Sequence, residues 1–171
     1  MNKQNMARTA QFSALLCISA CLCLPLGNLV FSLQTGVLFL SMFLLGGKAT
    51  SLVVLLYLLL GAVGLPVFSG FRGGIGMLLG PTGGFLLGFL VCSLLYWLLH
   101  PKTSFQKLLA ALLGLACCYS LGAIWFRFGY AKDGSFSVIL LQTVVPYLLP
   151  DILKLSLGFV LGKRLSRIFP A

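Results

Sequence analysis

Acidic side chains are almost absent from this chain. Its 171 residues include two, Asp133 and Asp151, against 12 Lys and Arg and one His. Charge of either sign is scarce, at 8% of residues, where a soluble domain carries about 25%. With 60% of its residues hydrophobic, the chain has more apolar surface than one core can hide, so a soluble fold is excluded. The net charge of +10 does not point to nucleic acid, because the basic residues form no patch interleaved with aromatics. They stand between apolar runs, as membrane topology arranges them.

Catalytic equipment is also missing. The one His, His100, precedes Pro101 at the end of an apolar run, and no Ser-centred elbow or zinc-binding helix motif is present. A phosphate-binding loop needs Gly-Lys followed by Ser or Thr. Here Gly47-Lys48 is followed by Ala49 and Gly162-Lys163 by Arg164, so the chain cannot drive itself with ATP. The six Cys, at 17, 21, 23, 92, 117 and 118, all lie inside apolar runs and read as small buried hydrophobes, not a disulfide framework. Cys17 and Cys21 share a helix face, with no further soft ligands in view. No enzyme activity, metal or cofactor is expected.

What the chain has is glycine in one place. GAVGLPVFSGFRGGIGMLLGPTGGFLLG, residues 61–88, keeps the apolarity of its flanks but has glycine at ten positions and is broken by Pro66 and Pro81. Non-helical backbone at membrane depth is tolerated only where it is buried in protein or lines a cavity. Glycine allows tight turns and close approach to a ligand, and the cation Arg72 stands in the middle. Gly76, Gly80, Gly84 and Gly88 are four apart, the spacing that brings helices together. Helix packing after Pro81 and ligand contact before it are both expected.

The N-terminus opens with Lys3 and Arg8 ahead of an apolar run, as a signal peptide does, and Ile18-Ser19-Ala20-Cys21 resembles a lipoprotein cleavage box. The same residues make a first transmembrane helix over Ala7–Leu26, ended by Pro25 and Gly27. Ala10 and Ala14 lie one turn apart on it, with Ser13 and Cys17 beside them. That smooth face serves internal packing or the docking of another membrane subunit. After a break at Gly27-Asn28, a second run opens on Ser32, Gln34 and Thr35 and ends at Lys48. The third covers Ala49–Gly61, the fourth Thr82–Leu99, the fifth Phe105–Phe126 and the last Phe136–Leu161, interrupted by Pro146 and Pro150. Spanning takes about 20 residues per helix, so the short second and third runs imply tilted, irregular pieces. The expectation is one all-α integral membrane domain, 1–171, with six transmembrane helices.

With six spans, Lys3, Arg8, Lys48, Lys102, Lys107, Lys163, Arg164 and Arg167 fall on one side, and Arg72, Arg127 and Lys132 on the other. The bias puts both termini in the cytoplasm and the glycine-rich stretch near the outer face.

Asp133 lies in a polar loop and reads as solvated. Asp151 is the one acid inside a span, where an ionisable group costs roughly 2.5–3.5 kcal/mol and is a site candidate by default. Lys154 follows three residues later on the same helix face. A mutually neutralising pair is one reading. A pair that also binds a polar ligand is the other, since burying two ions for stability alone is a poor device.

Four stretches carry a family resemblance: SLQT at 32–35, VLLYLLLGAVGLPVFSGF at 54–71, GGIGMLLGPTGGFLLGF at 73–89 and PYLLPDILKLSLGFVLGKRL at 146–165. They resemble BioY, the biotin-binding S component of energy-coupling factor (ECF) transporters, and the likeness covers nearly the whole chain. It implies a multi-pass protein of the bacterial plasma membrane that takes biotin from outside. It also implies partnership with a transmembrane scaffold and two cytoplasmic ATPases. The family's small residues for docking on the scaffold match Ala10 and Ala14, and its Asp and Lys in the last helix match Asp151 and Lys154. The family's Pro-Gly ahead of that Asp is replaced here by Leu149-Pro150, and Pro150 suits the first turn of a helix starting there.

Biotin chemistry agrees. Its ureido ring has two N–H donors and a carbonyl, and its tail ends in a carboxylate. Asp151 can accept from a ureido N–H, Lys154 can donate to the ureido oxygen, and Gln34 can meet either edge. Phe68, Phe71, Tyr147, Thr82 and the glycines Gly73 and Gly74 can enclose the ligand. Arg72 can meet the carboxylate or simply snorkel at the outer face. Two other classes remain: an ATP-independent carrier or channel with Asp151 and Lys154 as a proton relay, and a membrane-embedded enzyme, which the catalytic inventory disfavours.

Overall fold

The computed structural model describes residues 3–26, 29–131 and 135–168. The break expected at Gly27-Asn28 and the loop acid Asp133 lie outside the described residues.

Helix α1 covers Lys3–Cys21, not Ala7–Leu26. Its inward face is Thr9, Ser13, Leu16, Ser19 and Ala20. The hydroxyls bond back into the helix, Ser13 Oγ to Thr9 O at 2.9 Å and Thr9 Oγ1 to Asn5 O at 2.8 Å, so small polar groups pack without being left unpaired. Ser13 therefore belongs to the buried face, not to the smooth outer one. Ala10 and Ala14 are both exposed on the other side.

The chain then turns extended. Strands β1, Cys23–Leu26, and β2, Leu29–Ser32, pair antiparallel, with Cys23 opposite Ser32 and Leu26 opposite Leu29. Pro25 has no N–H for a helix and pushes Leu24 into extended backbone. This hairpin corrects the all-α expectation, although the chain is otherwise mostly helical.

Helix α2, Gln34–Ala62, contains the second and third apolar runs and is broken at Gly46, where φ is 78° and ψ 170°. Only glycine takes that conformation easily. Gln34 Nε2 donates to Tyr57 Oη, yet 23 residues of straight helix would separate these groups by about 34 Å. The two halves therefore double back at Gly46, two residues before Lys48.

A loop leads to the short helix α3, Ile75–Leu79, then to α4, Gly83–Leu99, and α5, Ser104–Gly129. The glycine series divides at Pro81. A Cβ at Gly84 would lie 2.3 Å from the Trp125 Cβ, and one at Gly88 2.7 Å from the Cys118 Sγ, whereas Gly76 faces open space. The α4–α5 crossing thus uses the small residues after Pro81. Thr103 and Gln106 form a reciprocal capping box at the start of α5, which supplies partners for end groups the helix leaves bare.

The last run splits into α6, Phe136–Thr143, and α7, Val145–Ile168. Pro146 takes the first-turn position and Pro150 lies inside α7, which corrects the assignment of Pro150 to a helix start. Pro146 cannot donate to the Gln142 carbonyl, which interrupts the helical ladder where α6 meets α7, and Pro150 cannot donate to the Pro146 carbonyl inside α7. Helix α7 packs on the first half of α2, with Gly158 against Phe39 and Gly162 against Phe43. Among the described residues, α2, α5 and α7 are long and apolar enough to cross a membrane, and α4 is a shorter apolar helix.

Candidate ligand-binding site

Asp151 lies on the second turn of α7 and is 3% exposed. Three donors from three helices converge on its carboxylate. Thr35 Oγ1 on α2 donates to Oδ1 at 2.7 Å, Lys154 Nζ on α7 donates to Oδ1 at 2.8 Å, and Tyr119 Oη on α5 donates to Oδ2 at 2.6 Å. Lys154 Nζ also donates to Thr35 Oγ1 at 3.2 Å. Hydrogen bonds to a charged group contribute about 1.5–3 kcal/mol each. Three of them balance a desolvation cost of several kcal/mol, which is how the carboxylate is buried as an ion pair with Lys154.

The network is held but not saturated. Oδ2 accepts one hydrogen bond and can take another, and the ammonium has a third hydrogen. Both residues line a cavity of about 600 Å³, inside the range of small-molecule sites. Its apolar wall is Met77, Phe85, Leu86, Phe89 and Leu115, and its polar wall adds Ser32, Ser69 and Thr82. The lining therefore offers an acceptor and a donor side by side, together with apolar surface for a hydrocarbon or thioether body.

Seven of the expected residues come together here: Asp151, Lys154, Arg72, Gln34, Phe68, Thr82 and Tyr147. Phe68 is fully buried, edge-on to Tyr57 at 5.3 Å, and its ring sits where a Cβ at Gly61 would be, 2.0 Å from the Phe68 Cζ. Arg72 is exposed to solvent as well as lining the cavity, which places it at the mouth.

Three expected residues do something else. Phe71 is 69% exposed, outside the cavity lining, and has left-handed backbone with φ 57°. It ends the tight turn that pairs Phe68 with Arg72. Gly73 lies against the Leu65 carbonyl, where a Cβ would come within 2.2 Å. Gly74 precedes α3 with φ 95°, and its N–H donates to Gly61 O at 2.7 Å. These positions shape the loop.

Gln34 also differs from expectation. Its Oε1 accepts from Ser32 Oγ at 2.8 Å and Ser69 Oγ at 2.9 Å, so only one amide hydrogen remains for a ligand.

Tyr119 was not visible as a site residue in the sequence. The signal for it is position: Leu115, Tyr119 and Ala123 are four apart on the buried face of α5. Thr35 stands out in the sequence only as part of a polar cluster.

A second hollow of about 490 Å³ lies between α5 and the α6–α7 pair, lined by residues such as Leu112, Phe136, Leu140 and Ile152. It has no charged side chain, and its two hydroxyls are already engaged, Tyr119 Oη with Asp151 and Ser120 Oγ with Ala116 O. Among the described residues no group of three His, Cys, Asp or Glu side chains is arranged to hold a metal.

A helical membrane protein whose cavity combines a buried ion pair, further polar side chains and an aromatic and aliphatic lining is a small-solute binder. The chain belongs to the BioY family, whose model matches residues 1–171. It is 39% identical over 159 residues to the biotin transporter BioY of Thermotoga maritima, covering 92% of each chain. It is 33% identical to the probable biotin transporter BioY of Pyrococcus horikoshii, covering 97% of this chain and 98% of that one. A crystal structure of the S-component for biotin from an ECF-type ABC transporter superposes with a TM-score of 0.84 at 26% identity, over 98% of this chain and 95% of that one.

Proposed function

We propose that this chain is the biotin-binding membrane subunit, the S component, of an ECF-type vitamin uptake transporter. The observation that carries the reading is the Thr35–Asp151–Lys154–Tyr119 network in the cavity wall. Asp151 Oδ2 accepts one ureido N–H, and the third Lys154 hydrogen meets the ureido oxygen. Phe68, Phe85 and Phe89 take the sulfur ring, with Tyr147 and Thr82 beside it. Arg72, at the mouth, pairs with the tail carboxylate. Gln34 contributes one amide hydrogen at most.

The protein crosses a bacterial plasma membrane six times with both termini cytoplasmic. The doubling back of α2 at Gly46 and the placement of Lys and Arg support that count and orientation. The cavity then opens to the outer face. Biotin is captured there, and ATP-driven import is supplied by partners: a transmembrane scaffold subunit and two cytoplasmic ATPases. The exposed Ala10–Ala14 face of α1 suits close approach by the scaffold.

Uptake into vesicles tests the assignment. Saturable biotin binding by the isolated chain, with accumulation only when the partners and ATP are present, is expected. Accumulation driven by a proton gradient without the partners would instead identify a secondary carrier that uses Asp151 and Lys154 as a relay.

A further inference from the structure

Two segments that belong to no common helix line the cavity together. The hairpin contributes Cys23 and Ser32, and the loop after α2 contributes Phe68, Ser69, Gly70 and Arg72. They meet on a single atom. Gln34 Oε1 accepts from Ser32 Oγ of the hairpin at 2.8 Å and from Ser69 Oγ of the loop at 2.9 Å. A carbonyl oxygen has two lone pairs, so both are engaged. The amide nitrogen donates to Tyr57 Oη on the second half of α2, and fully buried Tyr57 is itself packed against Phe68 of the same loop. A second, weaker tie runs nearby, from Cys21 Sγ at the end of α1 to Pro66 O at 3.6 Å.

A side chain whose role is only to touch a ligand has no need of this arrangement. We propose that Gln34 is a positioning residue, the shared fastener that holds the hairpin and the loop closed over the ligand so that both are released together. The proposal rests on the reading of this cavity as the ligand site. Neutral hydrogen bonds of this kind are individually weak, so each hydroxyl can exchange its partner for water and closure stays reversible. Because one amide orients both contacts, a change at Gln34 frees the two segments at once, whereas a change at either serine frees one.

Two measurements on the full chain in detergent test this. The first is the rate of biotin release. The second needs no ligand: the rate at which Cys23 reacts with a water-soluble maleimide, read by peptide mass spectrometry so that the other cysteines are counted separately. Gln34→Leu is expected to speed release at least tenfold and to raise Cys23 labelling several-fold. Ser32→Ala and Ser69→Ala each speed release by less, and add nothing further in the Gln34→Leu background. Gln34→Glu keeps an acceptor oxygen for both serines and recovers most of the slow release and low labelling. Serine substitutions that act by the same factor with and without Gln34 would overturn the shared fastener. So would Cys23 labelling at the wild-type rate in Gln34→Leu. If Gln34→Leu does not fold, the Ser32→Ala/Ser69→Ala double variant decides, with faster release and labelling expected and wild-type rates overturning the proposal. Failure of the wild type to bind biotin would remove the ligand assignment, and the labelling comparison would still decide the fastener.

Discussion

Asp151 draws its position from three helices, and its variants separate charge from shape. Asp151→Asn keeps the shape but replaces a charged acceptor, so biotin binding should weaken tenfold or more, the equivalent of about 1.5–3 kcal/mol for a charged hydrogen bond. Lys154→Ala should weaken binding too, and it leaves Asp151 buried without its counter-ion. Titration of both folded variants checks this, and wild-type affinity in both would place the ligand elsewhere. Arg72 makes a narrower claim. Arg72→Ala should weaken biotin more than a biotin amide that lacks the carboxylate charge, and equal losses would show that Arg72 only shapes the loop. The Asp–Lys pair was legible in the sequence because an acid inside an apolar run is rare and its partner is one turn away. Tyr119 was not, because an aromatic in an apolar helix looks the same whether it faces lipid or a carboxylate. Only the hydrogen bond it makes across to Asp151 of α7 makes that distinction.

At the scale of elements, close approach depends on the absence of side chains. Gly88 of α4 lies against Cys118 of α5, with the Cys118 Cα 3.0 Å from where a Cβ would stand. Gly88→Leu would force backbone apart, and overpacking of this kind costs about 1–3 kcal/mol or more. A lower melting temperature in detergent, with weaker biotin binding through the displaced Tyr119, is expected, and an unchanged melt would mean that this crossing is loose. The reversal was marked in the sequence by Lys48, two residues past the Gly46 break, and the helix-breaking role of the glycine-rich stretch could be read from Gly and Pro placement. The hairpin could not, because Leu24, Leu26 and Leu29–Phe31 continue the apolar signal of α1 and hydropathy does not separate strand from helix in short runs. Pro150 was misassigned for a related reason. A proline marks a helix start or an interior break with the same residue, and here the break at Val144 sets the start of α7.

For the whole molecule, the ligand cavity and the proposed docking face lie apart. The cavity is built at the end of the fold that holds Gln34, Phe68 and Asp151, whereas Ala10 and Ala14 are exposed on the outside of α1. Replacing both alanines with Trp should block a partner helix and leave biotin binding intact. Transport and co-purification of the ATPases should fall together. Lost binding with retained assembly would assign this face to the internal fold.

The central claim is that this cavity takes biotin through a buried Asp–Lys wall. Calorimetric titration of the detergent-purified chain with biotin addresses it most directly. The account predicts saturable heat with one biotin per chain, strongly reduced in Asp151→Asn. A folded wild-type protein that gives no binding heat at any temperature tried, and retains no biotin on equilibrium dialysis, would contradict it.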